Sequence, residues 1–364
     1  MKRTIVVPKF LLVSLLLTPP GLMHADETTS VSANWEQEIS TRRTEYLNWI
    51  VEHFGKIEPS MKPLDGRAWS LNQTRLFLNR DTDKASRYFE NVELTFDADF
   101  MGIRLLKTWL DFRESDRLSN QAKEHLRTII RDWPMDRKGG ISRTARWPPG
   151  FTENHDLMHL TIGLYSEQLR DQPIEPHLYE LKRFLSWRFE RGFYEWGSHR
   201  YQLHYTNPLF VLAAYAPDPD VRRGAADQLN IILAERALMS VGGYLGGPGM
   251  RSYDRNRGCD YLDNNRYDSF LPTVWLALGV GEPRFDFSLS NGLAPAGDGY
   301  GNGRDPRLNQ DEAIFLATTR VRCGAHDNVA DVARRQKISH NAPRSGEVVD
   351  LLSLIGFGFW GNCW

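Results

Sequence analysis

Cysteine is scarce in this chain: 364 residues hold three, Cys259, Cys323 and Cys363. None belongs to a Cys-x-x-Cys pair, so neither a zinc ribbon nor a thioredoxin-type redox motif is expected. An excess of charge of one sign is missing too, since 45 Lys and Arg face 46 Asp and Glu. Nucleic-acid binders normally show a clear basic excess, and no nucleic-acid partner is expected here. Strand-like alternation is rare. Near the N-terminus there is an apolar run, Phe10 to Leu17, that is too short to span a bilayer. What the chain does have is 41% hydrophobic and 25% charged residues, enough for a sizeable core and unlike a disordered or collagenous chain. Aromatic residues reach 12%, with 11 tryptophans, some of them candidates to line a binding cleft rather than a core.

The N-terminal run has the anatomy of a secretory signal. Lys2, Arg3 and Lys9 form a basic start, the apolar stretch follows, and Met23-His24-Ala25 ends in a small residue. Residues 1–25 are therefore expected to be a signal peptide, with an uncleaved anchor as the alternative, and the mature protein to be secreted or periplasmic. Removing three basic residues from 45 leaves 42 against 46 acidic ones, a net charge of −4. Attraction of an anionic ligand must then come from a few placed Arg and Lys side chains rather than from the overall field. An oxidising compartment permits one disulfide, and Cys323 with Cys363 is the favoured pair because it would tie down the C-terminal tail.

Helical periodicity dominates the rest. It predicts helices over Asn34–Phe54, Asp97–Phe112, Leu118–Trp133, His155–Leu169, Glu175–Phe193, Asn207–Tyr215, Asp218–Met239 and Gln310–Thr319. Asp218, after Ala216-Pro217, is a predicted N-cap. No composition break marks a second domain, so residues 26–364 are read as one unit. An all-α array of helical hairpins at this length, joined by long Gly-rich loops, suggests an (α/α) toroid, an incomplete barrel.

Three stretches concentrate chemistry. In FTENHDLMHL, Glu153, Asn154, His155 and Asp156 crowd a predicted helix start, and His155 and His159 share a helix face. Two histidines at that spacing form a weak metal pattern without a His-Glu-x-x-His motif, and no metal is expected. The bland alternative is capping by Asn154 with ordinary interior histidines. In GFYEWGSHRYQLHYTNP, a connector over 192–208, Trp196, His199, Arg200, Tyr201, His204 and Tyr205 offer flat rings for sugar CH faces and polar tips for hydroxyls or carboxylates. The third stretch, PGMRSYD, sets Arg251 and Tyr253 in a Gly-rich loop, where the backbone can approach a ligand closely and Arg can clamp a carboxylate. The basic connector over 137–150 adds Arg143 and Trp147 as candidate substrate contacts.

Amide, imidazole, guanidinium and phenol together suit β-elimination on a uronic acid. That reaction needs the C6 carboxylate neutralised, the C5 proton removed and the O4 leaving group protonated. The runs TENHD, GFYEW-x-S-x-x-Y, APDPDVRRGAADQLN and GGYLGGPGMRSYD, in that order across residues 97–280, resemble a family of secreted (α/α)-toroid proteins. That family includes the glucuronan and alginate lyases of polysaccharide lyase family 38. The resemblance implies a metal-independent lyase, without cofactor, acting on an acidic polysaccharide. It carries the carboxylate-binding Asn to Asn154, the supporting Arg to Arg251 and the acid–base Tyr to Tyr253. His199 or His204 fills the imidazole role, with His199 preferred beside Trp196 and Tyr201. Glu153, His155, Trp147, Arg143, Trp196, Tyr201 and His204 are then expected substrate contacts. The alternatives are a glycoside hydrolase on the same toroid, drawing a carboxylate pair from Glu153, Asp156, Glu195 and Asp254, and a non-catalytic glycan-binding protein.

Overall fold

Helical periodicity becomes two rows of helices that differ in how much of their surface is buried. The computed structural model describes residues 26–61, 66–94, 98–133, 152–198, 201–241, 244–245, 270–279 and 314–318. In chain order the helices are α1 (Asp26–Ile57), α2 (Gly66–Leu78), α3 (Thr82–Asn91), α4 (Ala98–Phe112), α5 (Asn120–Arg131) and α6 (Glu153–Leu169). They continue as α7 (Glu175–Arg191), α8 (Gln202–Tyr215), α9 (Pro219–Met239), α10 (Leu271–Leu278) and α11 (Ile314–Ala317). The described strands are β1 (Ser240–Val241) and β2 (Tyr244–Leu245), an antiparallel pair with Ser240 opposite Leu245. The fold class is all-α. None of the described helices is long and apolar enough to cross a membrane.

One row is buried nearly all round. In α2 every residue from Ala68 to Leu76 is buried, and α6, α8 and α10 are buried on all sides over most of their length. The other row buries a single stripe: Ala122, Leu126 and Ile130 on α5, and Val221, Ala225, Leu229 and Ile232 on α9. That is the contrast between a helix packed on every side and an amphipathic helix with one face in water. Packing follows suit. The helices of the inner row touch in succession, α2 on α4, α4 on α6 and α6 on α8, while α3, α5, α7 and α9 each lie across the inner helix that precedes or follows them. At the end of the series α10 packs on α1 and α9, and α11 packs on α1, α2, α8 and α10. Each fully buried Leu or Ile in these layers contributes about 1.5–3 kcal/mol relative to exposure.

Local signals fix the helix ends. Asp218 Oδ1 accepts from the amides of Asp220 and Val221 at 2.8 and 3.1 Å, the cap expected for α9. Ser119 caps α5 through the Ala122 amide at 3.1 Å. Gly192 ends α7 at φ +71°, a backbone conformation L side chains rarely adopt. Gly102 sets the approach of α4: a Cβ there would lie 2.6 Å from Trp133 and 2.9 Å from Ile162.

Several elements depart from expectation. Helices α2, α3 and α10 have no counterpart among the predicted ones. Helix α8 begins at Gln202 rather than Asn207, so much of the expected 192–208 connector is helix. Pro208 sits inside α8, at its seventh position. The signal segment, all three cysteines and the C-terminal tail lie outside the described residues.

A buried polar chain crosses the inner row. Trp69 Nε1 donates to Thr108 Oγ1 (2.9 Å), Thr108 Oγ1 to Gln73 Oε1 (2.8 Å) and Gln73 Nε2 to Asp111 Oδ2 (2.7 Å). Lys107 Nζ donates to the same Asp111 oxygen at 2.7 Å, and the Tyr215 hydroxyl donates to Asp111 Oδ1. Asp111 and Tyr215 close the last turns of α4 and α8. The two helices therefore run parallel, with their first turns meeting at the other end.

Candidate active site

Those first turns build the candidate site. Asp99 and Phe100 open α4, Glu153 to Asp156 open α6, and Gln202 to His204 open α8. Phe100 joins all three, its ring meeting His155 edge-on at 5.0 Å and His204 at 4.5 Å between centroids. The opening turn of a helix carries amides without intrahelical partners and the positive end of the helix dipole. Converging helix starts therefore favour a negatively charged group.

Glu153 is committed to the protein. Its Oε2 lies 2.8 Å from Arg188 Nη1, with both side chains 0% exposed. Its two oxygens also accept from the backbone amides of Tyr194 and Glu195, at 2.8 and 2.6 Å. Arg188 in turn lies over the rings of Phe184, Phe193 and Tyr194 and donates to the Gly192 carbonyl. The pair ties the 192–198 connector to the start of α6. Burial pushes the Glu153 carboxyl up to about 7 despite Arg188 and the two amides.

Asn154 is in the opposite condition. It is 0% exposed, yet among the described residues neither its Nδ2 nor its Oδ1 has a hydrogen-bond partner. Leaving a buried amide unsatisfied costs about 1–3 kcal/mol, and a native protein rarely carries one without a use. Thr152, not Asn154, holds the N-cap position of α6, and it makes no side-chain cap. Asp156 is buried beside it with Oδ2 likewise unpartnered among the described residues, and burial pushes its carboxyl up to about 6.

The histidines divide between two environments. His155 Nδ1 bonds Asp99 Oδ2, and its side chain stays 40% exposed while that of Asp99 is 6% exposed. Burial pulls the His155 pKa down, but the Asp99 hydrogen bond and the charges of Asp99, Glu195 and Asp156 outweigh it and leave it raised. His159 Nε2 stands 3.8 Å from the same Asp99 oxygen and its ring lies 5.5 Å from that of Trp133. Burial holds its pKa below the ordinary value, with the Asp99 charge opposing.

Through Phe100 the structure brings together His155 and His204, with Tyr201 meeting the His204 ring edge-on at 5.7 Å, while Asn154 precedes His155 in the first turn of α6. Trp196 is turned to α9, where its Nε1 donates to Glu235 Oε2 at 3.0 Å, and burial raises the Glu235 carboxyl. His199, Arg143, Trp147, Arg251 and Tyr253 lie outside the described residues. Sequence reading missed Asp99 and Phe100. Both fall 55 or so positions before the ENHD run, and a lone Asp at a helix start reads as an ordinary cap, so no local pattern flags them. Among the described residues no three His, Cys, Asp or Glu side chains gather as a metal site. No family model matches the chain, and neither the curated proteins nor the solved structures include a match to it.

Proposed function

We propose that the protein is a secreted polysaccharide lyase, built as an (α/α) toroid, that cleaves a polyuronate such as glucuronan or alginate by β-elimination. The alternation of fully buried and half-buried helices supports the toroid. The observation that carries the function is the Asn154 amide: fully buried, without partners among the described residues, and set in the first turn of α6. A uronate C6 carboxylate satisfies such an amide and suits the positive helix ends. Glu153 carries its own counter-charge in Arg188, 2.8 Å away, which offsets its repulsion of a bound carboxylate.

In this reading Asn154 and Arg251 bind the C6 carboxylate and stabilise the enolate-like charge that develops on it. An imidazole or the Tyr253 phenolate takes the C5 proton, and the Tyr253 phenol protonates O4 as the C4–O4 bond breaks. Tyr201 and His204 line the sugar, with Arg143 and Trp147 as further contacts. Incubating the purified protein with a panel of polyuronates and following the absorbance of the new C4–C5 double bond tests this. A rise on a polyuronate supports the lyase, and no rise on any of them refutes it. A second reading, an inverting glycoside hydrolase, draws support from Asp156, whose raised carboxyl pKa suits a general acid. It predicts new reducing ends without that absorbance.

A further inference from the structure

Sequence left the imidazole role between His199 and His204, whereas the geometry around α4 and α6 favours a different residue. We propose that His155 Nε2 is the group that removes the C5 proton, and that Asp99 is the positioning residue that holds the ring for it. The proposal rests on the elimination reading above.

A carboxylate can only accept, so the bond from His155 Nδ1 to Asp99 Oδ2 places the ring proton on Nδ1 and leaves the lone pair on Nε2. Asp99 is nearly buried, and its position in the first turn of α4 fixes it relative to α6, while the imidazole keeps 40% of its surface exposed for a substrate. The Phe100 ring braces His155 from one side and His204 from the other. Beside His155 in sequence is Asn154, whose unpartnered amide is the proposed carboxylate anchor.

The charged groups around the ring come from every neighbouring element: Asp99 from α4, Asp156 and His159 from α6, Glu195 from the connector, and His204 from α8 across Phe100. Three of these are acids, so the imidazolium formed on proton transfer is stabilised where it arises. In the step, the C5–H bond breaks and its proton joins His155 Nε2. The C5 electron pair spreads into the C6 carboxylate and then forms the C4–C5 double bond. The C4–O4 pair leaves with O4, which takes a proton from the donor named above.

Histidine-labelled protein, titrated by NMR, tests the pair together with pH profiles of kcat/KM on a polyuronate. His155→Gln should lose about 100- to 10,000-fold in kcat/KM, the range for a general base. Asp99→Asn should lower the pH at which His155 titrates and move the acid limb of kcat/KM down by the same interval, with a smaller loss of plateau rate. A merely structural Asp99 would move neither. Unchanged His155 titration in Asp99→Asn overturns the positioning role, and His155→Gln with near-normal kcat/KM overturns the base. If Asp99→Asn does not fold, the wild-type titration and His155→Gln still decide: His155 should protonate above the ordinary imidazole pH, and titration at or below it overturns the pair. A wild type inert on every polyuronate overturns the elimination reading and the C5 step with it. An active wild type with an active His155→Gln variant overturns the His155 assignment alone.

Discussion

Replacing Arg188 by methionine should expose how much of the site's geometry depends on one buried ion pair. Arg188 and Glu153 meet at 2.8 Å with both side chains 0% exposed, so neither charge has water to fall back on. Removing one partner of such a pair typically costs about 3–5 kcal/mol, because the other charge is stranded. In this chain the loss depends on pH. Burial already raises the Glu153 carboxyl from 4.5 to about 7. Native protein therefore binds more protons than unfolded chain between those values, and this group's contribution to stability falls as pH climbs through that window. Without Arg188 the carboxyl rises further, and the window extends upward. Arg188→Met should thus cost about 3–5 kcal/mol at pH 8 and clearly less at pH 6, where a protonated carboxyl needs no counter-charge. At about 2 °C per kcal/mol for a chain of this size, the melting midpoint should fall by roughly 6–10 °C at pH 8. Thermal melts of the wild type, the variant and Glu153→Gln/Arg188→Met at both pH values measure it. The double variant should recover most of the loss because no charge is left stranded. A loss below about 1 kcal/mol at pH 8, or a double variant no better than the single, refutes the reasoning.

Gly102→Ala should destabilise by about 1–3 kcal/mol, because the added methyl would lie 2.6 Å from Trp133 in the packed contact of α4; a denaturation midpoint equal to wild type would contradict this. His177→Leu should stabilise. The ring is 1% exposed, and neither nitrogen has a hydrogen-bond partner among the described residues. Burial and then Arg170 pull the His177 pKa down to about 4, so the unfolded chain takes up the proton first and stability drops as pH falls from 6.5 toward 4. The gain from His177→Leu should be about 1–2 kcal/mol at pH 7 and about 2 kcal/mol larger at pH 5, read from urea unfolding at both pH values.

The helices that sequence made legible are those whose pattern survives in one dimension. The outer stripes, such as Ala122, Leu126 and Ile130 of α5, announce themselves because one face is polar. Helix α2 is buried all round, and buried polar residues such as Gln73, Thr74 and Arg75 blur any apolar face, so periodicity passes it by. Asn154 and His155 were legible as a polar crowd at a helix start. Their roles were not: the amide matters because nothing in the described surroundings satisfies it, and the imidazole because Asp99, on a different helix, holds it. Both are facts of tertiary contact. Glu153 shows the reverse case, a carboxylate that looked available to a substrate in sequence and is instead held by Arg188 and two backbone amides. Trp196 is similar, its indole turned to Glu235.

The use of the Asn154 amide is tested most directly by measuring stability and elimination on one preparation of Asn154→Ala. A buried amide kept for a ligand costs the free protein stability, as functional groups often do. The variant should melt at or above the wild-type temperature while double-bond formation on polyuronate falls by about 100-fold or more, the scale of losing one preorganised donor to the developing charge. A variant that melts lower and keeps wild-type turnover would contradict it, and would make Asn154 a packing residue.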